Sequence, residues 1–414
     1  TINRRRKAEE MARGTKSNKY QHKKLPVVYG WGQNKFSQFG PNVQTSTVLI
    51  LPELIFEENH TLDGSPINQI TCTSFGTFYV TRNGNVFSSG LNFMRKPHQH
   101  FHNYSIAVKQ LKNNVQMISS GTNHAVLVTK DHQVFSVGDG YFGLGHQDCS
   151  YLTTFKHVPL EWKGLEFADV KCGQSHTLLL TKCGRVMGFG MSSFGQLGVQ
   201  QKRVPTPIEV TDKSFNRILN LDAGYDFSVM IDVTNTAYFM GNNGSQIIPG
   251  GEHLVIKPMK FEALENRVKA VSAGFANLAI LTLDNEVYTS GRTSNNLLLR
   301  ESADLLAKID TTPFGTIRSV VYNSLILSAF LINDKNEVYC VGDLGLLNST
   351  EHMTNLDLKI PEDYEVNVAT GAKHVFVVGR PKPSTTPLAQ LKRRLHQNAL
   401  EQSALCDLLI QTQI

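Results

Sequence analysis

The sequence predicts an all-β protein, a seven-bladed β-propeller, and three observations carry that prediction. A short motif ending in glycine recurs seven times at intervals of 58, 48, 52, 51, 50 and 51 residues. A second motif precedes the first in each internal unit. The two ends of the chain each hold the half-unit that the other lacks. A period near fifty residues marks a repeat architecture in which each unit is one supersecondary block, unable to bury its apolar face alone.

The glycine motif reads VVYGWGQN at 27–34, NVFSSGLN at 85–92, QVFSVGDG at 133–140, RVMGFGMS at 185–192, TAYFMGNN at 236–243, EVYTSGRT at 286–293 and EVYCVGDL at 337–344. Its repeat glycines are Gly32, Gly90, Gly138, Gly190, Gly241, Gly291 and Gly342. The motif before it has the form apolar–x–apolar–x–x–Gly–x–x–His–apolar. It is clear in ISSGTNHAVLVT (118–129), VKCGQSHTLLLT (170–181) and VATGAKHVFVVG (368–379), with His124, His176 and His374. Units between 218 and 350 lose the histidine, and Phe227, Asn277 and Ile326 are read in its place, with Asn323 replacing the glycine. Between the motifs lie polar pairs such as Asn83-Gly84, Asp131-His132, Cys183-Gly184, Asp284-Asn285 and Lys335-Asn336. Short β-branched runs on either side of such a pair read as a tight hairpin. Residues 41–66 and 92–114 depart from the repeat, so the outer strands of several units are not legible.

Closure follows from chain order. Residues 27–40 supply only the glycine motif and residues 368–379 only the histidine motif. Together they complete one blade, which removes the free sheet edges of an open array. The domain reading is a basic tail or linker at 1–26, a propeller at 27–380, and a linker with an amphipathic helix at 381–414. The helix is predicted at 387–403, after the breaker PKPSTTP, from the spacing of Leu388, Leu391, Leu395 and Ala399.

The repeat resembles the regulator-of-chromosome-condensation (RCC1) family. The matching segments are the Gly-x-x-His step, the turn, and YGWGQNKFSQFG (29–40), FSVGDGYFGLG (135–145) and MGFGMSSFGQLG (187–198). The likeness covers roughly 27–380. It implies four-stranded blades around a central axis, with the Gly-x-x-His strands lining the inside. The terminal ALCDLLIQTQI resembles the opening of a BTB domain, and propellers of this family are followed by such domains in several cases. That likeness implies an adaptor delivering proteins to a cullin-type ubiquitin ligase.

Composition narrows the function classes. The chain is 41% hydrophobic and 18% charged, as a globular protein is. Its longest apolar run, 320–332, is interrupted by Tyr322, Asn323, Ser324 and Ser328 and is too short to span a bilayer. Net charge is +6, yet residues 1–24 alone carry +7, so the basic character belongs to the tail. Arg4, Arg5, Arg6 and Lys7 are its candidate contacts with nucleic acid or an acidic partner, against the plainer reading of a solvated linker. Six scattered cysteines read as reduced thiols of a cytoplasmic or nuclear protein, and the basic N-terminal stretch also admits a mitochondrial one. Cys172, His176 and Cys183 invite a zinc reading, but two lie on one strand, the third lies at a turn, and no fourth ligand is near. The glycines of 188–195 follow a strand but open no helix, so they do not make a phosphate cradle. No nucleophile–base pair, metal motif or P-loop is found, so neither a catalytic residue nor a cofactor is expected.

The sequence therefore points to a non-catalytic scaffold or adaptor that binds partner proteins on its faces, with the glycines and histidines structural. The alternatives are guanine-nucleotide exchange on a Ran-type small GTPase, which needs a protruding wedge that these loops do not show, and a mitochondrial assembly factor.

Overall fold

The computed structural model describes residues 25–40, 43, 48–56, 62–91, 101–103, 108–139, 143–147, 151–160, 164–211, 215–292, 299, 305–323, 325, 327–342 and 350–382. Among the described residues twenty-eight strands make seven four-stranded antiparallel sheets, the blades of a ring.

Blade 1 holds β3 (Ile67–Cys72), β4 (Gly76–Thr81), β5 (Val86–Gly90) and β6 (Phe101–Asn103). Blade 2 holds β7 (Val115–Ser120), β8 (His124–Thr129), β9 (Val134–Gly138) and β10 (Leu152–His157). Blade 3 holds β11 (Phe167–Cys172), β12 (His176–Thr181), β13 (Val186–Met191) and β14 (Arg203–Glu209). Blade 4 comprises β15 (Ile218–Ala223), β16 (Phe227–Asp232), β17 (Ala237–Asn242) and β18 (Leu254–Lys260). Blade 5 comprises β19 (Val268–Ala273), β20 (Asn277–Thr282), β21 (Val287–Gly291) and β22 (Leu306–Lys308). Blade 6 comprises β23 (Ile317–Tyr322), β24 (Ser328–Asn333), β25 (Val338–Gly342) and β26 (Thr350–Asn355). Blade 7 joins the chain ends in the order β27 (Tyr364–Thr370), β28 (His374–Pro381), β1 (Val27–Gln33) and β2 (Val48–Phe56). The β1–β28 ladder runs from Val27 opposite Gly379 to Gly32 opposite His374, so the ring is closed by strands from both termini.

The blades' first strands face the axis, and neighbouring ones from β27 through β3, β7, β11, β15 and β19 to β23 touch in turn. This refines the expectation that the Gly-x-x-His strands line the inside. The lining strand is the one before the glycine, and the histidine opens the second strand. Second strands such as β8 and β12 are buried along their whole length. Sheets stacked face to face leave both sides of such a strand dry, which is why HAVLVT and HTLLLT run apolar without alternation. Apolar clusters fill the gaps between blades. The cluster at the seam joins Trp31 and Phe376 of blade 7 to Tyr79 of blade 1 and Phe330 of blade 6.

The hairpins between second and third strands repeat one device. In blade 1 the Gly84 amide donates to Thr81 O at 2.8 Å and the Thr81 amide to Asn85 O at 2.9 Å, a three-residue loop with Gly84 at φ +93°. His132, Asn235, Asn285 and Asn336 take the same left-handed position in other blades. The outer strands left open by the sequence form as well, although β6 and β22 are only three residues long.

Candidate functional site

The turns between first and second strands gather around one mouth of the axial channel, and here the repeat residues meet. Neighbouring turns are linked by backbone hydrogen bonds that run from blade to blade. The amide of Ala372 donates to Ser74 O (3.1 Å), Ser74 to Thr122 O (3.1 Å), Thr122 to Gln174 O (3.2 Å) and Gln174 to Tyr225 O (3.3 Å). The amide of Tyr225 continues to Gly274 O (3.0 Å) and that of Phe275 to Asn323 O (3.0 Å). The Asn323 side chain then donates to Gly371 O at 3.4 Å and closes the circle. Asparagine at the place of a repeat glycine thus supplies the seventh link.

Glycine is needed in the Gly-x-x-His step for space. A Cβ on Gly173 would fall on the His176 ring and on Gly224 O of the next blade, and one on Gly121 would meet the His124 ring and Gly173 O. The second glycine set has a different reason. Gly32, Gly90, Gly138, Gly190, Gly241, Gly291 and Gly342 all lie at φ between +88° and +122°. At Gly190 a Cβ would also stand 2.6 Å from Ser175 O, so conformation and close approach both exclude a side chain.

His124, His176 and His374 are fully buried, and each reaches one blade onward to a hydroxyl. His124 Nε2 meets Thr177 Oγ1 at 3.1 Å, His176 Nε2 meets Ser228 Oγ at 3.0 Å, and His374 Nε2 meets Thr77 Oγ1 at 3.0 Å. Ser228 commits its proton to Gln196 O at 2.7 Å, so its oxygen accepts from His176, which fixes the Nε2–H tautomer. The Nδ1 atoms of the three rings have no hydrogen-bond partner among the described residues. Burial pushes the imidazole pKa down, to about 4 for His124 and about 3 for His176 and for His374. These rings are neutral struts.

The partner hydroxyls were missed by sequence reasoning, although a signal was present. The residue after the histidine position, blade by blade, is Thr77, Ala125, Thr177, Ser228, Leu278, Ala329 and Val375. A hydroxyl occurs at this position only in the blade that follows a histidine. Register also corrects one position. Ser328 stands opposite Gly342 as His176 stands opposite Gly190, so the sixth blade's equivalent of the histidine is Ser328 and not Ile326. Two extra residues in that turn shifted the reading. In blade 1 the position is Gly76, opposite Gly90.

The channel itself encloses a cavity of about 370 Å³ lined by polar groups including Gln69, Thr71, Ser119, Asp169 and Lys171. Gln69 and Ile118, Thr71 and Ser120, and Asp222 and Ala273 are joined across blades here at 2.7, 2.7 and 2.8 Å. Burial opposes charge on Lys171, but Asp169 at 3.5 Å and Asp222 outweigh it and hold the ammonium above its ordinary range. Cys172 lies on the strand wall with its thiol at 3.6 Å from Thr177 Oγ1, while Cys183 sits at the far hairpin. Among the described residues no three His, Cys, Asp or Glu side chains are grouped to hold a metal.

On the surface of the turn face, aromatic side chains stand around the mouth. Tyr225 and Phe275 pack across two blades with centroids 4.2 Å apart and ring planes tilted by 50°, and the Gln174 amide of a third blade donates to the Tyr225 hydroxyl. Phe36 and Phe75 form an edge contact at 5.9 Å beside Leu91, and Phe75 and Leu91 are 39% and 53% exposed. Burial raises the neighbouring Asp226 carboxyl to about 6, against a hydrogen bond from Asn242 that lowers it. Arg4, Arg5, Arg6 and Lys7, the 387–403 helix and the BTB-like end lie outside the described residues. Among those described, no helix is long and apolar enough to cross a membrane.

A closed ring of seven four-stranded blades, tied by histidine struts and paired glycines, defines a seven-bladed β-propeller. Residues 167–196, from β11 through β13 to the start of the GQLG loop, match the Regulator of chromosome condensation (RCC1) repeat. The chain is similar to the Secretion-regulating guanine nucleotide exchange factor of Bos taurus, with 30% identity over 209 residues, 46% of this chain and 44% of that protein. It is 26% identical to the Ultraviolet-B receptor UVR8 of Arabidopsis thaliana over 67% of this chain and 63% of that one. The Probable E3 ubiquitin-protein ligase HERC4 of Mus musculus is 31% identical over 42% of this chain but only 17% of its own length. The chain thus spans less than two thirds of the length of these curated relatives.

Solved structures show the same fold. Human WBSCR16 superposes with a TM-score of 0.71 at 17% identity, covering 86% of this chain and 100% of that one. Prp20p from Saccharomyces cerevisiae, described with its binding to Gsp1p and histones, gives 0.71 at 18% identity over 90% and 95%.

Proposed function

We propose that this chain is a non-catalytic protein-interaction scaffold whose partners dock on the turn face. The observation that carries the reading is the set of aromatic side chains on that face, with Tyr225 and Phe275 packed ring to ring and Phe75 exposed at the mouth. Aromatic side chains offer large contact area at low entropic cost and are enriched where partners bind. A backbone ring that links every blade keeps those side chains in place before a partner arrives, which lowers the cost of ordering them. The names of the E3-ligase and exchange-factor relatives support work on other proteins in a general way. Recruitment to a cullin-type ligase is the finer form of this reading and depends on what residues 381–414 belong to.

A photo-reactive residue at position 75 or 275 tests the proposal against one at Leu219, an exposed side chain at the other end of the blades. Partners captured from the turn face and lost with Tyr225→Ala support it. Capture from Leu219 alone refutes it.

A second reading, exchange on a small GTPase, draws on the name of the bovine relative and on the Gsp1p binding described for Prp20p. An exchange factor stabilises the nucleotide-free intermediate above either bound state, and a scaffold has no reason to do so. Release of a fluorescent guanine nucleotide from a panel of GTPases separates the two.

A further inference from the structure

We infer that the outer strand of the closing blade, β2, is the seat of the chain's own C-terminal segment, residues 387–403. β2 is nine residues long, VLILPELIF, and lies at the free edge of blade 7. Its pairing with β1 is broken by register shifts on either side of Tyr29 and Gly30, and Pro52 lies within it. Leu49, Ile55 and Phe56 go into the core, while Val48, Leu51 and Leu54 are left 50%, 72% and 41% exposed. This row sets β2 apart from the outer strands β10, β14 and β18. Neither β10 nor β14 leaves a large apolar side chain exposed, and β18 leaves only Leu254. Unpaired apolar edges are liabilities that proteins cover or blunt.

The occupant follows from where the chain leaves the ring. β28 belongs to the same blade, with Gly379 opposite Val27 and Phe56 opposite Val28, so the chain exits two strands from the end of β2. Two strand spacings come to roughly 10 Å, and the six residues from Lys382 to Leu388 can span roughly 20 Å. A helix over 387–403 would be about 25 Å long against about 30 Å for β2. Leu388, Leu391, Leu395 and Ala399 fall on one helical face and match an apolar row. The other segments that border β2, at 44–47 (QTST) and 57–61 (EENHT), carry no apolar residue. Basic Lys392, Arg393 and Arg394 would face outward or toward Glu53, which is exposed on β2.

Amide hydrogen exchange on the full 414-residue chain tests this. Peptides within 388–399 should exchange about tenfold or more slowly than the same peptides free in solution. Leu51→Asp should abolish that protection without unfolding the ring, because its side chain is already in solvent. Leu391→Asp with Leu395→Asp should in turn expose Val48–Phe56, and Leu254→Asp should change neither. Exchange at the free-peptide rate in the unaltered chain overturns the inference. So does protection that survives Leu51→Asp, which places the segment elsewhere, or protection that vanishes on dilution, which assigns it to a second copy.

Discussion

Replacing His176 with glutamine should reduce the acid sensitivity of the fold by an amount set by that residue's burial. The ring is neutral in the folded state because its pKa is held at about 3, whereas the ordinary value is 6.5. Below the ordinary value the unfolded chain binds a proton that the folded chain refuses, so stability is lost as pH falls from 6.5 toward 3. Each such histidine costs at most about 1.4 kcal/mol per pH unit. From about pH 6 to about pH 5 the loss is roughly 1.2 kcal/mol for one and roughly 3.6 kcal/mol for His124, His176 and His374 together. Glutamine can still donate to Ser228 but does not titrate. The assay is urea unfolding of the parent and His176→Gln at about pH 8, 6 and 5. The difference in stability between them should shrink by roughly 1.2 kcal/mol over the last step, while groups common to both, Asp226 among them, cancel. Parallel pH curves would mean that His176 titrates normally and that the buried neutral strut is wrong.

Other outcomes follow from the same geometry. His176→Ala should cost on the order of 1–3 kcal/mol in urea unfolding, through the lost bond and the desolvated Ser228 hydroxyl. Gly173→Ala should destabilise by about 1–3 kcal/mol or more, because its Cβ meets both the His176 ring and Gly224 O, and a clear drop in urea midpoint checks it. Deleting residues 364–380 removes the two inner strands of blade 7, so thermal unfolding should occur earlier and lose cooperativity; an unchanged melt would refute strand sharing. Residues 27–380 should leave nucleotide release from Ran-type GTPases unchanged even at micromolar concentration. A hundredfold acceleration abolished by changes in one inter-blade loop would favour the exchange reading.

The ring was legible because its strongest constraints are local. Seven glycines at positive φ and hairpin turns of fixed length leave marks that recur in the sequence whatever the surrounding side chains. The outer strands were not legible, because partner contact on one side only tolerates many sequences and lengths, as the three residues of β6 and β22 show. Histidine as a structural residue could be read from its repetition. Its acceptor could not, since Thr77, Thr177 and Ser228 look like ordinary β-strand residues until one asks which blade they face. The misplacement at Ile326 has the same origin: counting along the chain assumes a turn of constant length, and the ladder from Ser328 to Gly342 does not depend on it. The aromatic face carried no sequence signal, because Phe75, Tyr225 and Phe275 become a surface only when distant turns are brought to one mouth.

The histidine struts bear on how such a ring can change over time. Donor and acceptor of each strut belong to different repeats, so blade 2, with His124 but Ala125, would if duplicated whole set a histidine against a neighbour without a hydroxyl, whereas blade 3, with both His176 and Thr177, would not. For blades 1, 2, 4 and 7, which hold only one partner, the strut belongs to the seam between blades, and only an exchange that keeps both sides of the seam keeps the bond. From Phe227 to Ser328 both partners are absent together, because Phe227, Asn277 and Ser328 stand at the histidine positions and Leu278, Ala329 and Val375 at the hydroxyl positions that would answer them.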